Sequence, residues 1–138
     1  MRRVFADAAY WIALANPHDN LHKTARDVSK ELGNVRIFTS EIVLTEVLNS
    51  LGGKGEVIGK TAAKMVERIL TNANVEVLPQ TSALFREALT LYCERPERDW
   101  GLTDCSSVII MKDKGLSEIL TPDHHFAEAG FKTLLESE

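Results

Sequence analysis

The chain predicts an α/β domain of three layers, α/β/α, with helices on both faces of a central, mostly parallel sheet of four to five strands. Three features point there. Short runs rich in β-branched and aromatic residues recur along the chain. Longer segments with apolar residues at helical spacing separate them, and several of those segments end at glycine. Strands separated by helices need crossover connections, and crossovers make parallel neighbours.

Arg3-Val4-Phe5-Ala6 reads as the first strand and Val35-Arg36-Ile37-Phe38 as the second. Val75-Glu76-Val77-Leu78, stopped by Pro79, reads as the third and Glu118-Ile119-Leu120 as the fourth. Residues 131–135 supply the optional fifth. Between them, a helix over 22–32 closes at Gly33. After Ser40, Leu44, Val47, Leu48 and Leu51 fall at i, i+3, i+4 and i+7 before Gly52-Gly53 stops the pattern. Ala62, Met65, Val66, Ile69 and Ala73 repeat it, as do Leu84, Ala88 and Leu91. Thr103 is placed to cap a helix over 104–114 that ends at Gly115. With 138 residues and no repeat, low-complexity tract or linker, one domain over 1–138 is expected.

Composition excludes several classes. An apolar fraction of 44% and a charged fraction of 26% are those of an ordinary globular protein. A net charge of −4 argues against a general nucleic-acid coat protein, yet leaves room for an enzyme that meets nucleic acid through bound cations. No apolar run approaches the ~18 residues of a membrane span. The opening Met1-Arg2-Arg3-Val4-Phe5-Ala6-Asp7 reaches an acid before a signal core forms. Cys93 and Cys105 have no metal or redox spacing, so each is expected as a buried reduced thiol, consistent with the cytoplasm.

Ligands of open parallel sheets bind beyond the carboxyl ends of the strands. Asp7 follows the first strand directly, and Asp123 follows the fourth in Thr121-Pro122-Asp123. Asp104 lies in the first turn of a helix, where the dipole favours an anion. For each acid alone, a solvated loop residue or a helix-stabilising charge is the ordinary reading. Glu46 has no such position; it falls roughly 150° from the Leu44/Val47 stripe, on the solvent side by periodicity.

Other motifs weigh less. Gly59-Lys60-Thr61 imitates the end of a phosphate-binding loop, but Lys54 stands where that motif needs glycine and a helix precedes it. Lys60, Lys64 and Arg68 form one basic helical edge, to which Lys54, Arg95 and Arg98 can add; it is either a solvated face or a hold on a phosphate backbone. His124 and His125 read as polar loop residues beside Asp123, Asp99 as a peripheral acid, and His18 and His22 as surface residues. Tyr10 and Trp11 are adjacent on a candidate helix, so one is expected in the core and the other on an interaction surface.

Four segments, in order, change the odds: Asp7-Ala8-Ala9-Tyr10-Trp11-Ile12-Ala13; Thr45-Glu46-Val47; Trp100-Gly101-Leu102-Thr103-Asp104-Cys105; and Leu120-Thr121-Pro122-Asp123-His124-His125-Phe126. Together they resemble the PIN-domain nucleases, most closely the VapC-like toxins of toxin–antitoxin pairs. The resemblance implies that Asp7, Glu46, Asp104 and Asp123 are catalytic acids that bind metal. Oxygen donors of this kind suit Mg²⁺ or Mn²⁺. It further implies an endoribonuclease that cleaves single-stranded or looped RNA and leaves a 5′-phosphate. An antitoxin partner and a homodimer are implied in the same way. Ala8 and Ala9 depart from the small hydroxyl or amide residue that many relatives carry there. An RNA-processing nuclease without an antitoxin and a non-catalytic RNA- or protein-binding module are the alternatives.

Overall fold

The computed structural model describes residues 1–136. Strands β1 (Arg2–Ala6), β2 (Val35–Ser40), β3 (Val75–Leu78), β4 (Glu118–Leu120) and β5 (Lys132–Thr133) form one sheet in the order β3-β2-β1-β4-β5. Every pairing is parallel. The fifth strand is shorter than expected, although Leu134 N–H and Leu135 N–H still donate to Ile119 and Thr121 carbonyls. The second is longer, because Thr39 and Ser40 stay in register with Val77 and Leu78.

The helices are α1 (Ala8–Ala15), α2 (His22–Leu32), α3 (Glu41–Gly52), α4 (Glu56–Thr71), α5 (Ser82–Glu94), α6 (Leu102–Lys114) and α7 (His124–Glu128). The chain steps from β1 to β2 to β3 in one direction, then crosses to β4 and β5 in the other. Right-handed crossovers therefore put α1–α4 on one face and α5–α7 on the opposite face. Packing agrees: α1 contacts α2, α3 and α4, whereas α5 packs on α6. The direction of winding reverses at β1, so the crevice beyond the ends of β1 and β4 is the place where such sheets bind ligands. Among the described residues, no helix is long and apolar enough to cross a membrane.

Several expectations are corrected. Tyr10 and Trp11 are both buried. Walls on two sides of α1 accommodate side chains ~100° apart: the two rings meet edge to face at 5.0 Å, and Trp11 Nε1–H donates to Thr39 of β2. Neither is a surface anchor. The cap of α6 is Gly101, not Thr103, which is buried within the first turn. Ala73 lies beyond α4, which ends at Thr71. Cys105 is buried as expected, but Cys93 is exposed near the end of α5; both are free. His22 is half-buried and its Nδ1 sits 2.7 Å from the Ala13 carbonyl, tying α2 to α1. Gly59, Lys60 and Thr61 lie inside α4, which disposes of the phosphate-loop imitation.

Candidate active site

Four short stretches deliver four acids to the switch point. Asp7 follows β1 directly and caps α1; its N–H donates to the Leu120 carbonyl across the β1–β4 seam. Asp123 follows β4 and caps α7, accepting from the His125 N–H at 2.9 Å. Asp104 is the third residue of α6, and its Oδ2 accepts the Gly101 N–H at 3.0 Å. Glu46 comes from α3, whose start is fixed by the Ser40 hydroxyl accepting the Val43 N–H.

Asp7 is only 8% exposed. Burial pushes its carboxyl up to about 7, and the negative charges of Asp104 and then Glu46 push the same way; the Ala8 N–H and the Thr121 hydroxyl pull it down. Asp104 is raised as well, first by burial, with Asp123 and Glu46 adding repulsion against the Gly101 N–H and His125. Asp7 thus feels Asp104 and Glu46, and Asp104 feels Asp123 and Glu46. Glu46 itself is exposed, as its periodicity predicts, yet its charge is felt by both aspartates.

The anchoring is one-sided. Asp7 accepts the Thr121 hydroxyl at Oδ2, Asp104 holds Gly101 through Oδ2, and Asp123 receives His125 N–H at Oδ1. Among the described residues this leaves Asp104 Oδ1 and Asp123 Oδ2 without a protein hydrogen bond. Oxygen-only donors of this type match a hard divalent cation. The carboxylates are gathered but not closed. Among the described residues, no three carboxyl, imidazole or thiol groups converge tightly enough to chelate an ion as they stand. Like charges gathered this way repel one another.

The sequence pattern of the PIN domain matches residues 4–132. The chain belongs to the PIN-domain family. It is 30% identical over 128 residues to the 23S rRNA-specific endonuclease VapC20 of Mycobacterium tuberculosis, covering 93% of this chain and 95% of that protein. The crystal structure of VapC20, described as a Sarcin-Ricin loop cleaving toxin, superposes with a TM-score of 0.82 at 29% identity over 93% of this chain and 95% of that one. VapBC2 from Rickettsia felis, solved with a DNA fragment from its promoter, shares the fold at a TM-score of 0.63 and 14% identity, covering 95% and 96% of the two chains.

Within the PIN domain, the peripheral candidates separate. His125 Nδ1 lies 2.9 Å from Asp123 Oδ1, so this ring belongs to the site, and it stands in the first turn of α7 rather than in a loop. His124 is exposed and reaches Glu128 instead, at 4.0 Å. Asp99 is exposed in the segment between α5 and α6, where it lines a cavity with Tyr92, Arg95 and Trp100. Lys54, Lys60, Lys64 and Arg68 are all exposed, but Lys60 is paired with Glu56 at 2.9 Å. Arg98 stacks over the Trp100 ring at 5.1 Å and faces Glu128 at 3.7 Å.

Sequence reasoning missed the hydroxyl that serves two acids. Thr121 is fully buried; its Oγ1 donates to Asp7 Oδ2 at 3.0 Å and accepts the Asp123 N–H at 3.3 Å. The spacing Thr-x-Asp at a strand end was the available signal, since such hydroxyls bond the backbone two residues on. Thr121 supplies Asp7 with a side-chain hydrogen bond that Ala8 and Ala9 cannot. Thr121→Val keeps the shape and removes both bonds, so urea unfolding should register a loss of about 1–3 kcal/mol. Thr121→Ser should recover most of it.

Proposed function

We propose that this PIN domain is a divalent-metal-dependent endoribonuclease and the toxin of a toxin–antitoxin pair. The observation that carries the reading is the placement of the acids around the switch point, near enough that Asp104 and Glu46 raise Asp7 and that Asp123 and Glu46 raise Asp104. Its 30% identity to a 23S rRNA-specific endonuclease along nearly the whole chain supports RNA as the substrate class. The VapC20 structure, a toxin, supports the cellular role and with it a cognate antitoxin. A cytoplasmic location follows from that role.

In this reading, Asp7, Asp104, Asp123 and Glu46 would hold Mg²⁺ or Mn²⁺. The ion supplies Lewis acidity for phosphodiester hydrolysis by water and offsets the carboxylate charge. Thr121 orients Asp7, the Gly101 N–H orients Asp104, and His125 steadies Asp123. Lys54, Lys60, Lys64 and Arg68 attract the RNA backbone, since phosphate contacts dominate affinity. Phe85, Leu89 and Tyr92 lie exposed at i, i+4 and i+7 on α5, a face that supports a homodimer contact.

The test is incubation of the purified protein with ribosomal and total cellular RNA, with Mn²⁺ or with EDTA, followed by mapping of the ends. Discrete cuts bearing 5′-phosphates, dependent on the metal, are expected. Equal cleavage in EDTA, or no cleavage of any RNA with Mn²⁺ present, overturns the reading.

A further inference from the structure

We infer that Thr39 is a positioning residue of the site, holding Asp7 in register with the Glu46-bearing helix through a buried relay that ends on Trp11. This inference rests on the nuclease reading above.

The relay begins where the ladder gives out. The last residue pair between β1 and β2 is Phe5 with Phe38. One step on, Ala6 still pairs with Leu120 of β4, but its side facing β2 has left the ladder, while Thr39 continues in register with Val77 of β3. The Thr39 hydroxyl fills the gap: Oγ1 donates to the Ala6 carbonyl at 2.9 Å. The same oxygen accepts Trp11 Nε1–H at 3.2 Å. A hydroxyl has one proton to give, so these two bonds leave it a single orientation.

Each end of the relay leads to an acid. Ala6 immediately precedes Asp7, and Trp11 sits one turn into the helix that Asp7 caps. Thr39 immediately precedes Ser40, the cap of α3, and α3 carries Glu46. Thr39 is fully buried and Trp11 is 5% exposed, so water cannot substitute for a lost partner. A single hydroxyl therefore connects the end of β1, the first turns of α1 and the β2–α3 junction. Thr121 performs the matching task on the opposite side, from β4. The end of β1 is held between two buried threonines, one touching the Asp7 carboxylate and the other acting through the backbone just before it.

Thr39→Val preserves shape and strips the relay of both bonds; Thr39→Ser keeps the hydroxyl. Three readouts apply to the full chain: RNA cleavage per folded molecule, the rise in melting temperature with Mn²⁺, and the Trp11 indole N–H resonance during a Mg²⁺ titration, assigned with Trp11→Phe. The expected result for Thr39→Val is a kcat roughly 10- to 100-fold lower, with KM little changed, as for a misplaced group. The Mn²⁺-induced rise should shrink, and the indole resonance should stop responding to Mg²⁺. Thr39→Ser should restore all three. If Thr39→Val melts lower but keeps its kcat and its Mn²⁺ response, the residue is merely structural and the inference fails. Should Thr39→Val not fold, Trp11→Phe decides: a reduced Mn²⁺ response supports the relay, and an unchanged kcat and Mn²⁺ response overturns it. A wild-type protein that neither cleaves RNA nor responds to Mn²⁺ overturns the nuclease reading instead, which separates the two failures.

Discussion

Asp7→Asn is expected to make the protein inactive and, in metal-free buffer at pH 8, more stable. Asp7 is nearly excluded from solvent, and its carboxyl is raised to about 7, first by burial and then by Asp104 and Glu46. The sign follows from linkage. The folded state keeps this proton at a pH where the unfolded chain, at its ordinary value near 4, has released it. Stability therefore falls as pH rises from about 4 to about 7, and the loss is complete above 7. At 1.36 kcal/mol per pKa unit, the burden on the ionised wild type is about 4 kcal/mol. Asparagine carries no charge and can still accept the Thr121 hydroxyl. The variant should melt higher than wild type at pH 8, and the gap should close near pH 4. RNA cleavage should drop by about 10³-fold, the scale of losing one electrostatic group at a reacting centre. Thermal melts at both pH values and a cleavage time course check the two halves. An Asp7→Asn variant that cleaves normally, or that melts below wild type at pH 8, contradicts the account.

Mn²⁺ or Mg²⁺ should stabilise the wild-type protein, increasingly so at higher pH. A ligand at one hundred times its dissociation constant adds about 2.7 kcal/mol, a rise in melting temperature on the order of 10 °C for a chain of this size. The ion competes with the proton on Asp7, so the rise at pH 6 should be smaller than at pH 8. Asp104→Asn should remove most of it, because Asp104 interacts with Asp7, Glu46 and Asp123. A melting temperature indifferent to millimolar Mn²⁺ at pH 8 would falsify the metal site.

The positions of Asp7, Asp104 and Asp123, after a strand or in a first helical turn, were legible locally; the metal role came from the family resemblance. A strand end or the first turn of a helix is a local feature, readable from a run of apolar residues and the acid that closes it. Glu46 was legible only through family resemblance. Its own helix places it toward solvent, and it is exposed, so nothing local distinguishes it from any other surface glutamate. What sets it apart is the reach of its charge to Asp7 at the end of β1, an interaction between segments about forty residues apart in the chain. The pair Tyr10 and Trp11 misled for a related reason. Periodicity describes a helix against one wall, and α1 has more than one.

By itself, then, the sequence determined the alternation of strands and helices, the parallel sheet, and three acids beyond strand or helix ends. Those follow from side-chain spacing and turn residues, which act over a few positions. Tertiary structure decided that the four acids share one edge and that Asp7 is buried enough to retain its proton near neutrality. It also decided that Thr121 and Thr39 flank the end of β1. Desolvation, charge repulsion and cross-strand hydrogen bonds depend on distances between segments remote in sequence, and only the reversal of the sheet at β1 brings those segments together.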